Sequence, residues 1–114
     1  MGYLKSYSGQ ILLKVEDNYI KEFSGVIKYK IVDNKLSDFY GRILYCMDGD
    51  KVKDFYGRIL LTITHSEVKD FGGRIIAKFD SSYIKDFSGM IQYKLDGFFS
   101  RRELMAVLTL LYAN

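Results

Sequence analysis

The stretch Lys51-Val52-Lys53-Asp54-Phe55-Tyr56-Gly57-Arg58-Ile59-Leu60-Leu61-Thr62-Ile63-Thr64-His65-Ser66 decides the fold, because its pattern returns every 16 residues without a gap. Six copies run from residue 3 to residue 98. Glycine fills one column in all of them (Gly9, Gly25, Gly41, Gly57, Gly73, Gly89), and isoleucine fills the column two places on (Ile11, Ile27, Ile43, Ile59, Ile75, Ile91). Self-similarity at a fixed period marks a chain that stacks one supersecondary unit.

Each copy reads as a hairpin. A short strand such as 51–55 leads through Tyr56-Gly57 into a longer strand such as 58–64, and a second turn falls at pairs such as Asp17-Asn18, Asp33-Asn34 and Gly49-Asp50. These are residues that tight two-residue turns favour. Two strands per copy give about 12 short antiparallel strands in a meander. Alternation puts Ile59, Leu61 and Ile63 on the core face, with Arg58, Leu60 and Thr62 opposite. The column Leu4, Ile20, Leu36, Val52, Val68, Ile84 then lies across from Leu13, Tyr29, Tyr45, Leu61, Ala77, Tyr93 on that same face. A type I turn over Asp54-Phe55-Tyr56-Gly57 is the competing choice, and it would shift the pairing by one and turn Lys53 inward. The register that keeps lysine outside is preferred.

Behind the repeats, Ser100-Arg101-Arg102-Glu103 is a capping box, predicting a helix over residues 100–113. Residues 104–112 are apolar except Thr109, so no face of that helix is polar and it must be buried. It is too short to span lipid, which takes about 20 residues. A ring of 12 tilted strands has a lumen of roughly 12 Å between inward side chains, about the width of one helix. A single-layer ribbon with a capping helix is the alternative, but it leaves two open edges. The expected fold is therefore all-β with one C-terminal helix: a single domain, residues 1–114, in which the hairpins close into a barrel around the helix.

Composition fits this reading. Of the 114 residues, 48% are hydrophobic and 27% charged, near the globular average, and the chain has no Pro and no Trp but ten Tyr and eight Phe. The net charge of +3 comes from 17 basic and 14 acidic groups spread along the chain, which argues against a nucleic acid partner. One cysteine, Cys46, cannot form an internal disulfide, and residues 1–10 carry no secretory pattern, so a cytoplasmic location is expected.

Six hairpins around an apolar helix resemble the tubby, phospholipid scramblase and LURP-one-related architecture, in which phrases like Val68-Lys69-Asp70-Phe71-Gly72-Gly73-Arg74-Ile75 recur. Copies within residues 35–82 fit that phrase best, whereas Ser6 and Glu22 replace the Asp in the first two. The repeats are also similar to bacterial β-flower proteins, which implies a bacterial source. The tubby-like resemblance implies a barrel fold and a role in phosphoinositide binding or at membranes, although this chain is smaller and shows no recognisable lipid-site motif. Fold is the firmer implication.

No catalytic set converges in the sequence. His65 sits in a turn and Cys46 on an outer strand face, so no metal site, cofactor or enzymatic activity is expected. The recurring Asp38, Asp54, Asp70 and Asp86 read as turn caps rather than a cation ring. The column Tyr7, Phe23, Phe39, Phe55, Phe71, Phe87 is expected to cover the barrel ends, with a stacking platform for flat ligands as the alternative. Function is therefore expected to be a non-catalytic interaction or scaffold role. The alternative is peripheral binding of an anionic lipid surface through Lys5, Lys21, Lys53, Lys69 and Lys85 with Arg42, Arg58 and Arg74. A second contact site is expected on the outer wall, where Leu44, Leu60 and Ile76 beside Cys46 form an apolar patch suited to self-association.

Overall fold

The β-branched and aromatic residues that dominate each copy favour extended chain. The computed structural model describes residues 1–113 and contains twelve strands and one helix. The strands are β1 (Gly2–Ser6), β2 (Ile11–Glu16), β3 (Tyr19–Glu22), β4 (Ile27–Val32), β5 (Lys35–Asp38), β6 (Ile43–Asp48), β7 (Lys51–Asp54), β8 (Ile59–Ile63), β9 (Glu67–Asp70), β10 (Ile75–Phe79), β11 (Tyr83–Asp86) and β12 (Ile91–Gly97). Helix α1 (Arg101–Tyr112) follows. Each strand pairs antiparallel with its predecessor, and β1 pairs with β12 through Gly2–Gly97, Leu4–Leu95 and Ser6–Tyr93, so the sheet closes into a barrel. Closure satisfies both edges that a ribbon would leave open.

Two kinds of turn alternate around the barrel. Between β2 and β3 the two-residue turn Asp17-Asn18 has both residues in the left-handed region (φ 52° and 67°), the geometry that matches strand twist. Between β7 and β8 the Asp54 amide donates to the Arg58 carbonyl (2.9 Å) and the Gly57 amide to the Asp54 carbonyl (3.0 Å). That is the Asp-first, Gly-fourth turn, with Gly57 at φ 88°, a value poorly tolerated by any side chain. The strand therefore ends at Asp54, and Phe55 belongs to the turn rather than to β7.

This turn does not bring Lys53 inward, because a β-bulge absorbs its extra residue. Lys53 pairs with Ile59 while Val52 pairs with Leu61, leaving Leu60 unmatched. The expected pairs Leu4–Leu13, Ile20–Tyr29, Leu36–Tyr45, Val68–Ala77 and Ile84–Tyr93 all form. The bulge also corrects one expectation: Ile59 is 43% exposed instead of facing the core, and Leu60 is half-buried against it.

Inward side chains stack in layers spaced by 16 in sequence. Leu4, Ile20, Leu36, Val52, Val68 and Ile84 are at most 1% exposed, and Val15, Ile31, Met47, Ile63, Phe79 and Leu95 are buried beside them. Met105, Ala106, Val107 and Leu108 of α1 belong to the same core cluster. The helix begins with the anticipated box: the Glu103 amide donates to Ser100 Oγ (3.1 Å), and the Ser100 amide donates to Glu103 Oε1 (3.0 Å). Twelve residues at about 1.5 Å each make a rod of about 18 Å. The molecule measures 36 × 35 × 20 Å, so the rod matches its shortest dimension.

Leu108 is fully buried. Leu108→Ala is expected to cost about 2–5 kcal/mol in a urea melt followed by circular dichroism. Leu108→Asp, which adds an unpaired buried charge, is expected to abolish the cooperative transition. A wild-type melt for the Asp variant would show that α1 is dispensable to the core.

Candidate interaction surface

A closed meander sends every odd-to-even turn to one rim and every even-to-odd turn to the other. The aromatic column therefore gathers at a single rim, and it does not cover the barrel end as expected from sequence. Tyr7, Phe23, Phe39, Phe55, Phe71 and Phe87 are all exposed, from 51% at Phe39 to 83% at Phe71. Tyr40 and Tyr56, the next residues in their turns, reach 86% and 84%. Phe39–Tyr40 and Phe55–Tyr56 each meet edge to face, with ring centroids 5.4 and 5.6 Å apart. The cause is local: a residue at the second position of a turn that projects past the last strand pair has no neighbouring strand to pack on.

Beneath the rings lies a polar brace. Asp54 Oδ1 accepts the amides of Tyr56 and Arg58 (both 2.9 Å), and Oδ2 accepts from Arg58 Nε (3.0 Å). Asp38 and Asp70 repeat the pattern, and Asp86 accepts from the Ser88 and Met90 amides. The Asp column thus caps turns. The Arg58 amide holds the Asp54 carboxyl below its ordinary value, as the Arg74 amide does for Asp70, while for Asp86 the Ser88 hydroxyl contributes most. Arg42, Arg58 and Arg74 each pair with the aspartate of their own turn at 3.4, 3.0 and 3.5 Å. At the tips, these three positive charges are balanced where they stand.

The lysine band lies on the outer wall, half-buried. Lys5 reaches Asp96 (2.8 Å), Lys53 reaches Asp48 (3.2 Å) and Lys69 reaches Glu67 (3.9 Å); Lys21 and Lys85 occupy equivalent wall positions. Much of the band's charge is thus spent on neighbouring carboxylates. The outer apolar patch is also altered. Leu44, Leu60, Ile76 and Cys46 are all half-buried, and Leu60 and Ile76 pack against the core cluster rather than standing free on the wall. Each bulge leaves its residue, Leu44, Leu60 or Ile76, without a partner across the strand pair.

The opposite rim is polar. An open depression of about 960 Å³ is lined there by Asp50, His65, Glu67, Asp80 and Arg101 among others. Two residues at that rim do work that sequence reading missed. Glu103 Oε2 accepts the Asn18 amide (3.0 Å) while its other oxygen caps the helix, so one buried carboxylate ties α1 to the β2–β3 turn. Arg101 donates to the carbonyls of Ile63 (2.8 Å), the last residue of β8, and Thr64 (3.0 Å), just past it. The capping box signalled the first link only as a local motif, and nothing in the sequence signalled the second. At the aromatic rim the helix ends near Tyr93 and Asp86: burial, with those two neighbours adding to it, pushes the Tyr112 phenol up to about 12.

Among the described residues no three His, Cys, Asp or Glu side chains gather as metal ligands, and no helix is long and apolar enough to cross a membrane. His65 is exposed in its turn, and Cys46 sits on β6 between Lys35 and Lys53. Comparison with protein-family models, with curated proteins and with solved structures gives no match. The reading of the rim rests on this chain's own residues.

Gly57→Val is expected to destabilise by more than about 1 kcal/mol through backbone strain alone, since a Cβ there meets open space. Asp54→Asn, which keeps the acceptor for both turn amides, is expected to cost less than Asp54→Ala. A carboxyl lowered on folding stabilises above its ordinary value of 3.8 and stops doing so as pH falls through its folded value. The melting temperature of the wild type should therefore drop below about pH 4, and Asp54→Asn should flatten part of that drop. Equal acid sensitivity in the two proteins would detach Asp54 from the stability of its turn.

Proposed function

We propose that the chain is a non-catalytic interaction or scaffold module: its six hairpin copies close around the C-terminal helix and hold a crown of aromatic turn tips for a partner to meet. The observation that carries this reading is the exposure of the crown, with Tyr40, Tyr56 and Phe71 all above 80% on one rim. Large aromatic side chains left this exposed at every turn of one rim are the kind of surface that marks a contact site. The scaffold supports the task. Four of the tips are fixed by an aspartate-capped turn on a closed sheet, so little conformational entropy is lost there when a partner orders them. One depression on the crown side is lined chiefly by apolar and aromatic residues, among them Tyr29, Ile43, Tyr45, Phe55, Tyr56 and Leu110.

A photo-crosslinking amino acid, p-benzoylphenylalanine, placed at Phe55 is expected to give higher-mass adducts in living cells, whereas the same group at the exposed wall residue Lys78 is not. Adducts from residue 78 equal to those from 55, or none from 55, would overturn the reading.

A further inference from the structure

We infer that the partner of the aromatic rim is a second copy of this chain, in a face-to-face dimer with twofold symmetry; the inference rests on the reading of the rim as a contact surface. Three observations select this occupant. The first is area. At about 200 Å² for a full aromatic side chain, the exposed parts of the rim's rings come to roughly 1,000 Å². Burying even half of that on each copy gives about 1,000 Å² in total, the least that a specific interface needs.

The second is charge. An anionic membrane or a nucleic acid needs uncompensated cations at the surface it meets. Here Arg42, Arg58 and Arg74 are each matched by an aspartate within 3.5 Å, and Asp54 and Asp70 are held ionised beside them. At these three tips a polyanion therefore finds no net pull, and the nearest other cations, Lys30 and Lys94, lie against the rings of Phe39 and Tyr7. Two copies that meet through these three balanced tips, by contrast, do so without mutual repulsion there.

The third is shape. The two longer extents of the molecule are nearly equal, 36 and 35 Å, and like turns recur every 16 residues around the closed sheet. An isologous contact requires a patch complementary to itself. A ring of projecting aromatics separated by small turn residues, such as Ser24-Gly25 and Gly72-Gly73, offers both knobs and gaps, so each crown can seat its rings between those of the other. The polar rims then face outward at the two ends of the dimer.

Sedimentation equilibrium of the full chain from micromolar to near-millimolar concentration tests this. The wild type is expected to approach twice the 13.2 kDa chain mass. Phe55→Ser with Tyr56→Ser should weaken dimerisation by roughly 100-fold, as loss of a central aromatic cluster does elsewhere. Tyr40→Glu with Tyr56→Glu, at side chains too exposed to affect folding, should do the same, while Lys78→Ser should leave it unchanged; unaltered thermal melts certify the fold of each variant. A wild type that stays monomeric throughout, or a dimer indifferent to both rim variants, overturns the inference. Flotation with phosphatidylglycerol vesicles separates the remaining occupant: a monomer that binds vesicles through Phe55 and Tyr56 overturns the dimer yet leaves the rim as the contact surface. A monomer that also gives no adduct from residue 55 removes both.

Discussion

The turn that runs from Asp54 to Gly57, with the bulge at Leu60, governs the rest of the molecule. A glycine at φ 88° lets the chain reverse within three residues, and the aspartate satisfies the amides that the reversal leaves unpaired. Taken alone, such a turn would slip the pairing by one residue. In a sheet with a side-chain period of two, that slip would send Lys53 and its counterparts into the core and the Val52 column into water. The extra residue in β8 reverses the slip before Val52 meets Leu61. Because the device recurs in all six copies, the Val52 and Ile63 columns point to the same interior around the whole ring.

The core takes more than the strands. The innermost layers, from Leu4 to Ile84 and from Val15 to Leu95, share their cluster with Met105, Ala106, Val107 and Leu108, and those four are at most 4% exposed. The helix is tied at its start by Glu103 and Arg101, each of which satisfies backbone groups of the wall as well as serving or flanking the helix terminus. Burying the Glu103 carboxylate is tolerated because both of its oxygens accept backbone amides. One polar rim thus anchors the element that completes the core, and the other is left for the aromatic tips.

Much of this was legible beforehand. The period of 16, the glycine column, the pairing of the Val52 and Leu61 columns, and the capping box at Ser100 follow from side-chain alternation, turn chemistry and helix capping, all of which act over a few residues. Those rules also gave the right face to lysine, since a charged group in a closed apolar interior has no compensating partner.

What only the tertiary structure decided is where the turn aromatics and the bulge residues end up. Sequence left open whether Phe55 belongs to its strand or to the turn, and could not say that Ile59 faces water while Leu60 leans on the core, or that Arg101 reaches the Ile63 and Thr64 carbonyls 38 and 37 residues away. Each outcome depends on how one hairpin stands against the next once the ring has closed. Local propensity fixes the hairpin; closure fixes what lies beyond its end, and for the aromatic tips nothing within the chain lies there.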